Sequence, residues 1–171
     1  MLKIINNLSP FFEDCYRWIS VREYGRLVKV SPPTASKLLK EFKKAGYLQE
    51  KKERKHHFFL LNNEDPEVID LSRMYWKERL NCLLKSVRER YVDYCAVLFG
   101  SLAKGEATPS SDVDIALFSP KKNEINIEQY TKTLKREISI HWFESISDVK
   151  NKSLLNNILN GYILSGRLRW L

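Results

Sequence analysis

Residues 94–119 read YCAVLFGSLAKGEATPSSDVDIALFS, and this stretch decides the fold of the part of the chain that contains it. Two apolar runs of strand length are separated by a connection that holds a Gly-Ser pair, a proline and several polar residues. Apolar runs bounded by turn-forming residues are typical of buried strands. The stretch therefore predicts two strands joined by a loop.

The second run carries two aspartates that face the same way. Asp112 and Asp114 are two positions apart, so on an extended strand both side chains leave the same face. Neighbouring carboxylates repel each other, and hard divalent ions such as Mg²⁺ prefer oxygen ligands of this kind. Gly100 and Ser101 end the first run where a helix can begin, and the free N–H groups of a helix start attract phosphate. The pattern therefore predicts that this stretch binds a metal ion at one end, through Asp112 and Asp114, and phosphate at the other, through Gly100 and Ser101.

Composition indicates a globular protein. The chain has 171 residues, 43% of them hydrophobic and 29% charged, enough for one ordinary domain or two small ones. No apolar run approaches the roughly 20 residues of a membrane span, and the N-terminus lacks the apolar core of a signal peptide, so we expect a cytoplasmic protein without a membrane partner. Three cysteines, Cys15, Cys82 and Cys95, are far apart and form no CxxC pattern, so we interpret them as buried apolar residues.

The positive charge is concentrated in one segment. Residues 21–57 contain 11 Lys or Arg against 4 Asp or Glu, whereas the chain after residue 57 contains 16 against 15. This distribution favours a polyanion-binding module attached to a second part of another kind.

The N-terminal pattern predicts helices over 9–20, 21–29 and 32–45, followed by short strands at 47–49 and 58–61. The third helix is expected to bury Ala35, Leu38, Leu39 and Phe42. This order resembles the winged helix-turn-helix domain of bacterial and archaeal regulators, assigned here to residues 1–63. The resemblance implies that DNA is bound by the third helix and the hairpin tip. The exposed DNA-binding candidates are Thr34, Ser36, Lys37, Lys40, Lys51, Lys52, Arg54 and Lys55. A charged, solvated face on a domain that docks only to protein is the alternative.

Residues 64–90 are expected to form one connector helix, because their apolar positions continue without a flexible Gly/Ser linker. Residues 91–171 then hold the two central strands, a helix at 127–136, a strand at 137–143, a helix at 153–160 and an apolar tail. The predicted fold class is α+β, with an N-terminal winged helix-turn-helix and a C-terminal small α/β domain that has a mixed sheet.

The residues Gly100, Ser101, Gly105, Ser111, Asp112 and Asp114 form the pattern G-S-x-x-x-G-x(5)-S-D-x-D. This pattern resembles the signature of the nucleotidyltransferase superfamily of the DNA polymerase β type, and especially the minimal nucleotidyltransferases. The resemblance implies that Asp112 and Asp114 are catalytic and hold two Mg²⁺ ions, with a nucleoside triphosphate as substrate. It also implies that Gly100 and Ser101 bind its phosphates and that Ser111 holds the loop against the second strand. Lys104 is a further nucleotide-binding candidate, with a solvated lysine as the alternative.

The family pattern includes a third carboxylate on a later strand, where it helps to activate the nucleophile. In the strand at 137–143 the matching position is Ser139. Glu137 lies on the same face about 7 Å away along the strand, and His141 lies equally far in the other direction. Glu137 is therefore the candidate for the third catalytic residue. A carboxylate from another element, such as Glu106 or Glu144, or a site with no third carboxylate, are the alternatives.

The resemblance implies transfer of a nucleoside monophosphate, most simply AMP from ATP, to a protein or other hydroxyl acceptor. Because minimal nucleotidyltransferases are often antitoxin partners of HEPN-type ribonucleases, it also implies an antitoxin-like regulator with a HEPN-type partner. The alternative is a DNA-binding transcriptional regulator whose second domain is catalytically weak or inactive and serves as a nucleotide sensor or as the interface of a homodimer. Transfer to RNA, or to a small molecule, shares the same motif.

Overall fold

The structure, a computed structural model, describes residues 3–168 and divides into two compact units. The N-terminal unit comprises the chain up to Tyr75 together with Gly105–Pro109. The C-terminal unit comprises Trp76–Lys104 and the residues from Ser110 onward. Within the described range no helix has the length and apolar character needed to cross a membrane.

The N-terminal unit combines helices with a small antiparallel sheet. The elements in chain order are α1 (Lys3–Glu13), β1 (Ile19–Ser20), α2 (Val21–Leu27), α3 (Pro32–Lys44), β2 (Leu48–Glu53) and β3 (His56–Leu61), followed by most of α4 (Pro66–Arg79). The strands pair in the order β1-β3-β2, so that the hairpin of β2 and β3 is extended by the short β1.

Side-chain caps set the starts of α2 and α3. The Ser20 hydroxyl accepts a hydrogen bond from the Glu23 N–H, and the Ser31 hydroxyl accepts one from the Thr34 N–H. Pro32 occupies the first position of α3, where its missing N–H costs no helical hydrogen bond. The expected helix at 32–45 is therefore confirmed, with its start in the expected place.

The expectation that the first helix spans 9–20 is wrong, because α1 begins at Lys3 and contains Pro10 in its interior. A proline there cannot donate to the carbonyl of Asn6, four residues earlier. The Ser9 hydroxyl donates to that carbonyl instead, at 2.7 Å. Burial of Ile5, Leu8, Phe11 and Phe12 holds the helix together, so tertiary packing overrides the local start signal.

Two details of the expected α3 and hairpin also differ. Leu38 is only half-buried, whereas Ala35, Leu39 and Phe42 are buried as expected. The strands are longer than the sequence indicated, which reduces the turn between them to Arg54 and Lys55.

The interval 64–90 is not one helix but two. The helix α4 ends at Arg79, and α5 (Asn81–Arg90) begins after Leu80, which is fully buried with ψ near 0°. No Gly or Pro marks this break, so the periodicity of apolar residues predicts one continuous helix here. The division between the two units, between Tyr75 and Trp76, also falls inside this interval.

Residues 105–109 pack with the N-terminal unit although, in the sequence, the C-terminal unit lies on both sides of them. The Cys15 N–H donates to the Ala107 carbonyl at 2.8 Å, and Ala107 is fully buried. Gly105 has φ +73°, and a Cβ added there would lie 3.3 Å from Cγ1 of Ile69. This five-residue segment is thus closely fitted to α4 and to the end of α1.

The C-terminal unit is built on a mixed sheet, as the predicted fold class requires. Its strands are β4 (Cys95–Phe99), β5 (Val113–Phe118), β6 (Ile138–Phe143) and β7 (Tyr162–Gly166), the last in the expected apolar tail. They are arranged in the order β6-β5-β4-β7; β5 and β6 are parallel, and β4 pairs antiparallel with both β5 and β7. The helices are α5, α6 (Ser101–Lys104), α7 (Glu128–Leu134) and α8 (Lys152–Leu159), with a 3₁₀ turn at Ile146–Asp148.

The interpretation of all three cysteines as buried is wrong at one position. Cys15 and Cys95 are buried, but Cys82 is exposed on α5. Cys95 packs with Val97, Phe99 and other apolar residues in a core on one face of the sheet.

Replacement of Leu39 by Ala tests how much the core of the N-terminal unit depends on α3. Because Leu39 is fully buried, the free energy of unfolding in urea should fall by about 2–5 kcal/mol. The adjacent Leu38→Ala is the matched control and should cost about 1 kcal/mol, since its side chain already contacts water. Equal losses for the two variants would contradict the burial of α3 described here.

Candidate active site

The strand β5 brings the two aspartates to the centre of the mixed sheet. Asp114 pairs with Phe99 on β4 and with Ser139 on β6. Asp112 immediately precedes β5. Strand alternation predicts that it projects from the same face as Asp114, and its charge raises the pKa of Asp114, so the two carboxylates are close together. His141, two residues after Ser139, belongs to this face as well. The face therefore carries two carboxylates, a hydroxyl and an imidazole.

The Gly-Ser turn lies against one of these carboxylates. Gly100 has φ +74°, a conformation that favours glycine, and a Cβ added there would be 2.7 Å from Oδ2 of Asp114. Ser101 follows as the first residue of α6. The predicted phosphate end and the predicted metal end of residues 94–119 are thus in direct contact.

Burial makes the ionised form of Asp114 unfavourable. The pKa of its carboxyl is raised above the usual value, first by desolvation and further by the charge of Asp112, and it is partly lowered by His141. His141 Nε2 is 4.0 Å from Oδ1 of Asp114, and the imidazole also contacts the ring of Phe99, with centroids 5.4 Å apart. A cation beside Asp112 and Asp114 would offset both the desolvation and the repulsion.

The donor set of Asp112 and Asp114 fits Mg²⁺ as far as these two residues go, since both supply carboxylate oxygens from one face. Among residues 3–168, however, no group of three or more His, Cys, Asp or Glu side chains is arranged to hold a metal ion. Glu137 is exposed, and the contact it makes with the aspartate strand is through its backbone carbonyl, which accepts from the Val113 N–H at 2.8 Å. Ser139, next to Asp114 in the register, provides a hydroxyl where the family pattern has a carboxylate. A catalytic role for Glu137 stays a prediction.

Two of the predicted nucleotide-binding residues take part in other contacts. The ammonium group of Lys104, at the end of α6, donates to Oδ1 of Asn157 on α8 at 3.3 Å. The backbone carbonyl of Ser111 accepts from the guanidinium of Arg136 at 2.7 Å. Neither Asn157 nor Arg136 was singled out from the sequence, because a lone Asn on a helix or a lone Arg before a strand has no distinctive pattern.

The basic residues predicted to bind DNA lie on α3 and on the β2–β3 hairpin of the N-terminal unit. Ser36 and Lys51 are half-buried, and Lys51 Nζ lies 2.8 Å from Glu53 and 4.5 Å from the ring centroid of Trp18. The exposed members of the set are Thr34, Lys37, Lys40, Lys52, Arg54 and Lys55. Most of the predicted set is therefore accessible to a ligand, whereas Lys51 already has an acidic and an aromatic neighbour.

Replacement of Asp114 by Asn should raise the thermal stability of the protein at neutral pH. Because the pKa of Asp114 is raised in the folded state, folding binds protons and stability falls as pH rises through the interval between the unfolded and folded values. Ionised Asp114 is therefore destabilising at pH 7, and Asn removes that cost. Tm should be higher for Asp114→Asn at pH 7, and the difference should vanish below about pH 3.8, the ordinary pKa.

Glu124→Gln is the matched control for this comparison, since it removes one carboxylate from an exposed loop position in the same unit. Its Tm should follow that of the unmodified protein across the pH range. A Tm for Asp114→Asn that is lower at pH 7 than that of the unmodified protein would contradict the electrostatic description of the site.

Comparison with known protein families gives a match over the residues that form the candidate site. Residues 80–164 match the family model described as a nucleotidyltransferase domain, a range that covers the Gly-Ser turn, both aspartates and the strand β6. No curated protein and no solved structure matches the chain significantly. The mixed sheet of the C-terminal unit fits that fold, and the match supports nucleotidyl transfer as the general chemistry of residues 80–164.

Proposed function

We propose that the protein is a Mg²⁺-dependent nucleotidyltransferase that moves AMP from ATP to a hydroxyl group of a protein or other acceptor. The observation that carries this proposal is the contact between the Gly100 turn and the carboxylate of Asp114, with Asp112 close enough for its charge to raise the pKa of Asp114. That contact supports the proposal of a phosphate site beside two metal ligands. The family match over residues 80–164 supports the same reaction class.

In nucleotidyl transfer the acceptor oxygen forms a bond to the α-phosphorus, the bond from that phosphorus to the leaving pyrophosphate breaks, and the acceptor proton passes to a base. Mg²⁺, when bound, would stabilise the negative charge that develops on the phosphate oxygens. Asp112 and Asp114 would hold it. The backbone N–H groups and hydroxyl at Gly100 and Ser101 would bind and orient the triphosphate, because a glycine at this point lets phosphate oxygens approach the main chain.

Lys104 is proposed to lie beside the triphosphate while anchored to Asn157, so that its ammonium charge is held near α6. Glu137 is proposed as the group that receives the acceptor proton. Its exposed side chain would then act on a hydroxyl presented from outside the domain, which suits a macromolecular acceptor.

A second candidate function follows from Ser139. Its place beside Asp114 gives the site two carboxylates where the family pattern has three, which weakens catalysis by the same chemistry. The protein would then be a DNA-binding transcriptional regulator whose C-terminal unit binds nucleotide, or forms a homodimer, without efficient transfer. Both functions include DNA binding, and they differ in whether the C-terminal unit transfers nucleotide efficiently.

The N-terminal unit is proposed to be a winged helix-turn-helix that binds DNA. Its support is the succession of α2, the capped turn at Ser31, α3 and the β2–β3 hairpin, together with the excess of 11 basic over 4 acidic residues in 21–57. In this arrangement α3 would enter the major groove and the turn at Arg54 and Lys55 would contact the adjacent backbone.

The proposed biological role is that of an antitoxin-like regulator whose protein acceptor is a HEPN-type ribonuclease. Transfer of AMP to a hydroxyl of the partner would silence it, and DNA binding would adjust expression of the pair. This role rests on the resemblance to minimal nucleotidyltransferases, and the cytoplasm is the expected location.

The transfer reaction is tested with ATP labelled at the α-phosphate, Mg²⁺ and a HEPN-type protein from the same genome. Label should become attached to protein with the unmodified chain and should fall to background with Asp112→Asn combined with Asp114→Asn, because both proposed metal ligands are lost. Loss of one such ligand alone is expected to reduce the rate by at least about a hundredfold. Gel autoradiography and intact-mass measurement report the reaction.

Glu124→Gln serves as control and should leave labelling unchanged. Binding of ATP and Mg²⁺ without any label transfer to protein, RNA or a small hydroxyl compound would favour the regulator over the enzyme. Labelling that persists in the double Asn variant would exclude the two-aspartate site as its origin.

DNA binding is tested by the salt dependence of affinity for DNA from upstream of the chain's own gene. Lys37→Ala with Lys40→Ala should weaken binding and should lower the slope of log affinity against log salt by about one unit for each lysine, because each phosphate contact releases counterions. Lys85→Ala, an exposed lysine of the C-terminal unit, is the matched control and should leave the slope unchanged. Binding that is absent, or that does not respond to salt, would contradict the proposal.

A further inference from the structure

A buried arginine stands next to the strand that carries the aspartates. Arg136 lies between the end of α7 and the start of β6, and only 6% of its surface is exposed. An arginine is almost never this deeply buried unless its charge and its donors are satisfied. Its contacts therefore indicate what it does.

Two contacts of Arg136 have a specific geometry. Its guanidinium carbon lies 4.9 Å from the ring centroid of Trp76, so the cation is placed over an aromatic ring. Its Nη1 donates to the backbone carbonyl of Ser111 at 2.7 Å. The carbonyl that receives this charge-assisted hydrogen bond belongs to the residue immediately before Asp112, one of the proposed metal ligands.

Glu137, the residue after Arg136, binds the main chain on the C-terminal side of Asp112. The carbonyl of Glu137 accepts a hydrogen bond from the Val113 N–H at 2.8 Å. The main chain is thus bound on both sides of Asp112. Arg136 binds the carbonyl of Ser111 before it, and Glu137 binds the N–H of Val113 after it. Lys135 has φ +57°, which turns the chain sharply at the end of α7 and delivers this pair of residues to the start of β5.

We propose that Arg136 is a positioning residue that fixes Asp112 for metal binding through the carbonyl of Ser111. This inference rests on the proposed function, since it assigns Asp112 to the metal. The main chain at Asp112 precedes β5 and has no partner in the sheet ladder, whereas Asp114 lies within the strand and pairs with a residue on each side. Arg136 supplies the restraint that the ladder does not provide at this end.

The chemistry of the side chain explains why arginine stands here. A planar guanidinium can stack on Trp76 and donate to Ser111 at the same time, whereas the ammonium group of lysine has no plane to stack. Lysine retains the charge and a donor, and methionine retains the approximate volume without either. These two substitutions therefore separate packing from hydrogen bonding.

The test is amide hydrogen exchange of the full chain, resolved to residues 111–114, for the unmodified protein, Arg136→Lys and Arg136→Met. Arg136→Met should lose protection at Val113 while the amides of β4 and β7 keep theirs, and Arg136→Lys should restore part of the loss. Arg88→Met is the matched control, because Arg88 is an exposed arginine of the same unit that also donates to a main-chain carbonyl, that of Leu84. It should leave exchange at 111–114 unchanged.

Two results would overturn the inference. One is unchanged protection at Val113 in Arg136→Met. The other is an equal loss of protection through all four strands, which would show that Arg136 contributes only to general stability. If Arg136→Met does not fold, Arg136→Lys decides alone, since a selective loss at 111–114 is still required of it.

Binding of Mn²⁺, measured by calorimetry, separates this inference from the proposed function. Mn²⁺ affinity should fall by about tenfold or more in Arg136→Met and by less in Arg136→Lys, as expected for a residue that orients a ligand. An unmodified protein that binds no Mn²⁺ would overturn the proposed metal site, and the exchange data would still report whether Arg136 fixes residues 111–114. Equal Mn²⁺ affinities in a protein that does bind the ion would overturn the positioning role.

Discussion

Burial of the Asp114 carboxyl close to a second carboxylate, that of Asp112, is the constraint around which the candidate site of the C-terminal unit is arranged. Asp112 and Asp114 face the same way, and desolvation already disfavours the charge on Asp114. Two acids at this place cost stability, and a neutral residue in place of Asp114 would remove part of that cost. Under the proposed function, a cation bound by the two carboxylates would offset both the desolvation and the repulsion.

The order of the strands converts this constraint into a site. Because β5 lies between β4 and β6, Asp114 has the Gly100 turn on one side and Ser139 on the other. The antiparallel partner β4 therefore leads into the Gly100 turn, which is proposed to bind phosphate, and the parallel partner β6 places Ser139 beside Asp114. Immediately before β6, Arg136 and Glu137 bind the main chain on either side of Asp112. The strand order thus accounts both for the approach of Gly100 to Asp114 and for the hydroxyl that stands beside this aspartate.

Much of this arrangement could be predicted from the sequence, because the decisive residues are close together in the chain. Apolar runs bounded by turn residues located β4 and β5, alternation located β6, and the spacing of Asp112 and Asp114 predicted that both face the same way. The helix at Lys3–Glu13 could not be predicted in the same way, since Pro10 is accommodated by a hydroxyl from Ser9 and by tertiary burial. The break at Leu80 and the role of Arg136 also depend on contacts between distant residues, for which the local sequence has no pattern.

The packing of residues 105–109 limits where the gene of this protein can be cut into fragments that fold. A gene fragment that begins at residue 76 or later encodes Ala107 but neither Cys15, which donates a hydrogen bond to it, nor Ile69, which contacts Gly105. Such a fragment would expose a buried alanine in the loop that connects β4 with the aspartate strand. A break near residue 76 is therefore a poor place for recombination with another gene. Substitutions at Cys15, Ile69 and Ala107 should be correlated among descendants of this gene.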